Sequence, residues 1–73
     1  MGYPKSYAIK GDDVGGGVAY YGFALPGTAS ATSGWAIMKY TVSGAALKVE
    51  WANGDSKMDK DWNSRLGFTY STA

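Results

Sequence analysis

At 73 residues, without cysteine or histidine, the chain is closed to disulfides, to thiolate or imidazole metal sites and to thiol or imidazole catalysis. Seven basic residues against six acidic ones leave a net charge of +1. Lys5, Lys10, Lys39, Lys48, Lys57, Lys60 and Arg65 are scattered, not gathered into the stripe that nucleic-acid binders need, and no run of about 18 apolar residues offers a membrane-spanning helix.

Residues 1 to 17 read as an extended arm. Pro4 lacks an amide proton for a ladder, and Gly11-Asp12-Asp13 with Gly15-Gly16-Gly17 disfavours both helix and central strand. Tyr3, Tyr7 and Ile9 give this arm apolar anchors suited to a neighbouring surface, which makes them interface candidates. The start of the chain lacks the basic-then-apolar profile of a secretory signal. Met1-Gly2-Tyr3-Pro4-Lys5-Ser6 fits the N-myristoylation pattern formally, but so short a pattern arises readily by chance.

The remainder, 18 to 73, reads as one small β domain. Val18 to Leu25 is rich in β-formers and stops at Pro26-Gly27; Gly22 within it marks a bulge or a close backbone approach. The small residues of 26 to 34 form a loop. Trp35 to Val42 is the next strand, with Ala36, Met38, Tyr40 and Val42 on one face and Trp35, Ile37, Lys39 and Thr41 on the other. Bulk on both faces implies a strand covered twice, or one whose outer face meets a partner.

Ser43-Gly44 is the expected turn into a third strand, where Leu47, Val49 and Trp51 alternate with Lys48 and Glu50. Asn53-Gly54 is the dipeptide best suited to a type I′ turn. Ser56 with Asp59 resembles a capping box, and Met58, Trp62 and Arg65 or Leu66 recur at helical spacing, so a short helix or helical turn is expected over 57 to 64, the alternative being a strand that pairs straight back through Asn53-Gly54. Leu66, Phe68 and Tyr70 alternate as a last strand. The fold class is therefore all-β: a small antiparallel sandwich or barrel of four to five strands with one helical turn.

Core candidates are Phe23, Ile37, Met38, Leu47, Val49, Trp51, Trp62 and Phe68. Tyr20, Tyr21 and Trp35 join Tyr3, Tyr7 and Ile9 as interface candidates, because adjacent strand residues point to opposite faces and Tyr20 and Tyr21 cannot share one small core. Eleven aromatics in so short a chain favour contact surfaces, where they give area at low entropic cost.

Catalysis finds little to work with. Glu50 and Asp55 are the pair a glycosidase would draw on, but so small a domain has little room for a cleft, and solvated carboxylates are the simpler reading. Asp55, Asp59 and Asp61 lack EF-hand spacing; Asp59 and Asp61 offer at most a weak calcium site. Gly15-Gly16-Gly17 lacks the Lys-Ser/Thr of a phosphate loop. No catalytic residue, metal or cofactor is expected.

Size points to assembly. At this length the gain from burial and the cost of ordering the chain nearly cancel, and eleven glycines add to the cost. With no covalent or metallic staple, copies of the chain or a larger surface supply the deficit.

Five segments then fall in order: Tyr21-Gly22-Phe23-Ala24-Leu25-Pro26-Gly27-Thr28-Ala29, Trp35-Ala36-Ile37-Met38-Lys39, Glu50-Trp51-Ala52-Asn53-Gly54-Asp55, Trp62-Asn63-Ser64-Arg65 and Phe68-Thr69-Tyr70. Over about residues 20 to 71 this series resembles a class of short reading frames of tailed bacteriophages, usually found among virion structural genes. The resemblance implies a non-enzymatic structural protein of the virion, assembled in the bacterial cytoplasm. A capsid decoration or cement protein on the capsid lattice is the first expectation, with the major capsid protein or other virion proteins as partners and a homo-oligomeric state. A tail, neck or fibre component is the alternative. A single-stranded nucleic-acid or carbohydrate-binding module using the aromatic faces is the reading from another class.

Overall fold

Tight turns with left-handed backbone shape the chain into a meander. The computed structural model describes residues 7–72. Five antiparallel strands lie side by side in chain order: β1 (Ala8–Gly15), β2 (Val18–Ala24), β3 (Ala36–Ser43), β4 (Ala46–Ala52) and β5 (Tyr70–Ser71). Among the described residues the one helical element is a 3-10 helix, Trp62–Gly67. The protein is all-β, as its alternation implies, but the sheet is open and single, not a sandwich or a barrel.

Two turns show this backbone clearly. Asn53 and Gly54 both take positive φ (56° and 75°), and the Asp55 amide donates to the Ala52 carbonyl at 3.4 Å. This is the type I′ geometry expected of that dipeptide. At the other end Gly15 faces Val18, so Gly16 and Gly17 form a two-residue loop with φ of 65° and 80°. Its second residue also lies against β3: the Val42 amide donates to the Gly17 carbonyl at 2.7 Å.

The predicted arm needs correction. Its first six residues, Tyr3 among them, lie outside the described residues, but from Ala8 onward it is a strand that pairs with β2 from Ala8↔Ala24 to Gly15↔Val18. Polar and glycine-rich residues are tolerated here because an edge strand makes ladder bonds on one side only. A side chain from β2 also compensates for Gly11, where an added Cβ would meet the Tyr21 ring at 3.4 Å.

The helical turn starts later than its spacing predicts, at Trp62 instead of residue 57. The cause is a backbone bridge. Trp35 donates to the Lys60 carbonyl at 2.8 Å, and Lys60 donates back to the Trp35 carbonyl at 3.0 Å. Residue 60 is thereby held extended, and no helix can run through it. The last strand is correspondingly short, because Leu66 belongs to the 3-10 helix and only Tyr70 and Ser71 pair with β4.

The core forms on one face of the sheet, where the 3-10 helix folds over it. Ala24, Trp35, Ile37, Ala52 and Trp62 are buried together, with Ala8, Tyr20, Phe68 and Tyr70 packed against them. Of the predicted core, Ile37 and Trp62 are buried and Phe68 borders them. Trp35, expected at an interface, is 1% exposed, and its indole N–H donates to the Ala29 carbonyl at 2.9 Å. The loop of small residues therefore closes on this ring. Tyr20 also turns inward, its ring 5.4 Å from that of Tyr70.

Tyr70 supplies a pH prediction. Its hydroxyl donates to the Arg65 carbonyl at 2.6 Å. Burial, with a smaller contribution from Tyr20, pushes its pKa up from 10.0 to about 12. The unfolded chain ionises first, so stability held by neutral Tyr70 is full below pH 10 and drains away as pH rises toward 12. Thermal melts across that range are expected to fall more steeply for the wild type than for Tyr70→Phe. Parallel slopes would refute this.

Candidate protein-binding face

Alternation sends half of each strand to the side opposite Trp62. From the pairing register, β1 contributes Ile9, Gly11 and Asp13 to that side, and β2 contributes Ala19, Tyr21 and Phe23. Ala36, Met38, Tyr40 and Val42 follow from β3, then Leu47, Val49 and Trp51 from β4. Among the described residues no element covers this face, and Asp13 is its one charged strand residue.

The charges lie on the other face. Lys10, Asp12, Lys39, Lys48 and Glu50 flank the core there. Asp12 accepts from the Arg65 guanidinium at 2.9 Å, Lys48 sits 3.7 Å from Glu50, and the Lys10 ammonium lies 6.0 Å from the Trp35 ring centre. The Arg65–Asp12 pair ties the 3-10 helix to β1, and Arg65 also stacks 4.7 Å from the Trp62 ring centre within that helix. The usual arrangement of an open sheet, apolar inside and polar outside, is thus reversed over much of its area.

The uncovered face is largely aromatic and aliphatic. Tyr21, Phe23, Met38, Tyr40 and Trp51 are half-buried, while Ile9 (63%), Leu47 (65%) and Val49 (38%) are exposed. The rings of Tyr21 and Tyr40 meet nearly edge to face, 68° apart with centres at 6.5 Å. Beside them lies a shallow hollow of about 200 Å³, lined by Asp13, Gly17, Val18, Ala19, Tyr21, Tyr40 and Val42. That is smaller than the roughly 300–1,000 Å³ of typical small-molecule pockets. The Asp13 carboxylate accepts from the Gly15 amide at 2.9 Å and so supports the adjacent turn.

Several predicted core residues are therefore reassigned. Phe23, Met38 and Trp51 are only half-buried and lie on the uncovered face, and Leu47 and Val49 are exposed on it. Of the interface candidates, Ile9 and Tyr21 lie on this face, while Tyr7 is exposed just ahead of β1. Tyr20 and Trp35 belong to the opposite side. The sequence did carry a signal for this face: bulk on both sides of the strand from Trp35 to Val42.

The carboxylates weighed for chemistry are spoken for. Asp55 and Asp59 both pair with Lys60, whose ammonium also reaches the Lys57 carbonyl at 3.3 Å. Asp55 further accepts from the Lys57 amide at 3.0 Å. Its hydrogen bond from Lys60 holds the Asp55 carboxyl below its ordinary 3.8. Burial pulls the Lys60 ammonium toward the neutral form, but hydrogen bonds to Asp55 and Asp59 outweigh it and leave its pKa raised above 10.5. Glu50 is engaged by Lys48 instead, and Asp61 accepts from the Ser64 hydroxyl at 2.8 Å. Among the described residues no group of three or more acidic side chains is placed to hold a metal.

Comparison with protein families, with curated proteins and with solved structures found no match.

Proposed function

We propose that this chain is a non-enzymatic structural protein that works by binding protein through the uncovered face of its sheet. One observation carries the reading: four strands present aromatic and aliphatic side chains, with a single carboxylate at one corner, and no element folds over them among the described residues. Apolar patches of that kind on small proteins mark interaction sites, and aromatic side chains dominate the energetics of such contacts. Charge placement favours protein over single-stranded nucleic acid as the ligand. Rings that stack on bases need cations beside them for the phosphates, and Lys10, Lys39 and Lys48 lie on the opposite face.

Joined to the sequence resemblance, this reading makes the protein a bacteriophage virion component, with capsid decoration as the first assignment. A lattice-bound module gains stability by mass action from the assembled surface, which suits a chain with so small a core. The test is protein identification in purified particles of the phage carrying this reading frame. The protein is expected in stoichiometric amounts on the capsid. Its absence from particles would end the virion assignment, and its presence in tails would move it to the tail.

A further inference from the structure

Resting on the reading of the uncovered face as a protein-binding surface, we propose that its occupant is a second copy of this chain, stacked face to face to complete a two-layer β-sandwich. A sheet normally buries its apolar face against another layer. Here the 3-10 helix and the loops supply that layer for the Trp35–Trp62 side alone. The opposite side has the composition of a sandwich interior and lacks the second sheet.

The dimensions fit a pair. β1 to β4 run seven or eight residues each. Strands of that length span about 25 Å and four of them about 19 Å, so one face offers roughly 500 Å² in projection and more in accessible area. Two copies would remove roughly 1,000–1,300 Å² from water, at the threshold of a specific interface. Two such layers pack about 10 Å apart with strand directions within about 30°.

Charge and shape agree with a partner identical to the chain itself. Like charges brought together are the common obstacle to self-pairing, and this face carries only the corner Asp13. The relief is also self-complementary. Leu47 projects from β4 at the same end of the sheet as the hollow, whose lining comes from β1, β2 and β3. A two-fold axis lying between the layers, along the strands and midway between β2 and β3, carries β4 of each copy across β1 of the other. Each Leu47 then meets the hollow-bearing side of the second copy, the reciprocal contact that a two-fold interface requires.

Sedimentation equilibrium of the full chain tests this, alongside the double variant Leu47→Lys/Val49→Lys. Both positions are exposed in the single chain, so the fold is expected to survive, as circular dichroism will report. The wild type is expected at twice the chain mass at about 100 µM, and the double variant is expected to weaken association by at least about 100-fold. The milder Leu47→Ser, free of any charge effect on folding, is expected to weaken it about 10-fold. A wild type that stays single at that concentration overturns the pairing, and so does a double variant that pairs as tightly as the wild type. Particle incorporation separates the two readings. A single-chain wild type whose double variant fails to incorporate removes self-pairing but keeps the protein-binding face. Incorporation and association both indifferent to the double substitution remove both.

Discussion

Gly22→Ala is expected to destabilise the protein by about 2–3 kcal/mol, a large share of what a chain of this length possesses. On propensity alone the change ought to help, since glycine inside a strand costs roughly 0.5–1 kcal/mol relative to alanine. Packing reverses the sign. A Cβ on Gly22 would sit 2.6 Å from Trp62 Cε3, 2.9 Å from Trp62 Cζ3 and 3.0 Å from Trp35 Cε3. Trp35 is locked by its indole hydrogen bond to Ala29 and cannot retreat. Relief must come from Trp62, and lifting that ring carries the 3-10 helix and the Arg65–Asp12 pair with it. Urea denaturation of Gly22→Ala, Trp62→Leu and the double variant isolates the contact. The alanine is expected to cost much less once the ring is gone. Strictly additive costs would show that Gly22 matters for some other reason.

That contact joins residues 40 positions apart, and it explains which parts of the molecule were legible in the sequence. Turns and alternation are local, so Pro26-Gly27, Ser43-Gly44 and Asn53-Gly54 marked the strand ends closely, and Gly22 was readable as a place of close approach. Alternation gives the period of a strand but not its sign. Whether Val49 and Trp51 or Lys48 and Glu50 face the core depends on where Trp62 lands, and nothing within β4 records that. The choice of Leu47, Val49 and Trp51 as core followed the ordinary rule that apolar residues point inward, which this sheet reverses. The burial of Trp35 is illegible locally for the same reason, because the residues it meets, at 29, 60 and 62, all lie outside the adjoining strand. β1 was missed because edge position excuses a composition that a central strand would not tolerate. The candidate face was half visible, through Tyr21, Ile9 and the two bulky sides of β3.

The ion cluster under the bridge from Trp35 to Lys60 yields the second large effect, and it is asymmetric. Lys60 is 3% exposed, whereas Asp55 and Asp59 keep much of their surface in water. Removing the lysine strands no buried charge: in Lys60→Met the methionine fills the same channel, the carboxylates rehydrate, and Tm is expected to stay within about 5 °C of the wild type. Removing the acids strands a buried ammonium. Asp55→Asn/Asp59→Asn keeps the shapes, and the side-chain carbonyl introduced at position 55 can still accept from the Lys57 amide, yet Tm is expected to fall by about 15 °C or more at neutral pH. The pH dependence identifies the cause. In the wild type the Asp55 carboxyl is held below 3.8, so its contribution is present above that value and lost as pH falls through the lower folded-state value. Lys60 is raised above 10.5, so its contribution is full below that pH and lost as pH rises through the higher folded-state value. With both acids neutralised, burial is no longer outweighed and depresses the Lys60 pKa, so the double variant gains stability as pH rises from 7 to 10, where the wild-type contribution of Lys60 stays level. Melts in which Lys60→Met is the more damaging change, or in which the double variant shows no alkaline gain, would mean that the ammonium is well hydrated and that the bridge to Trp35 stands without it.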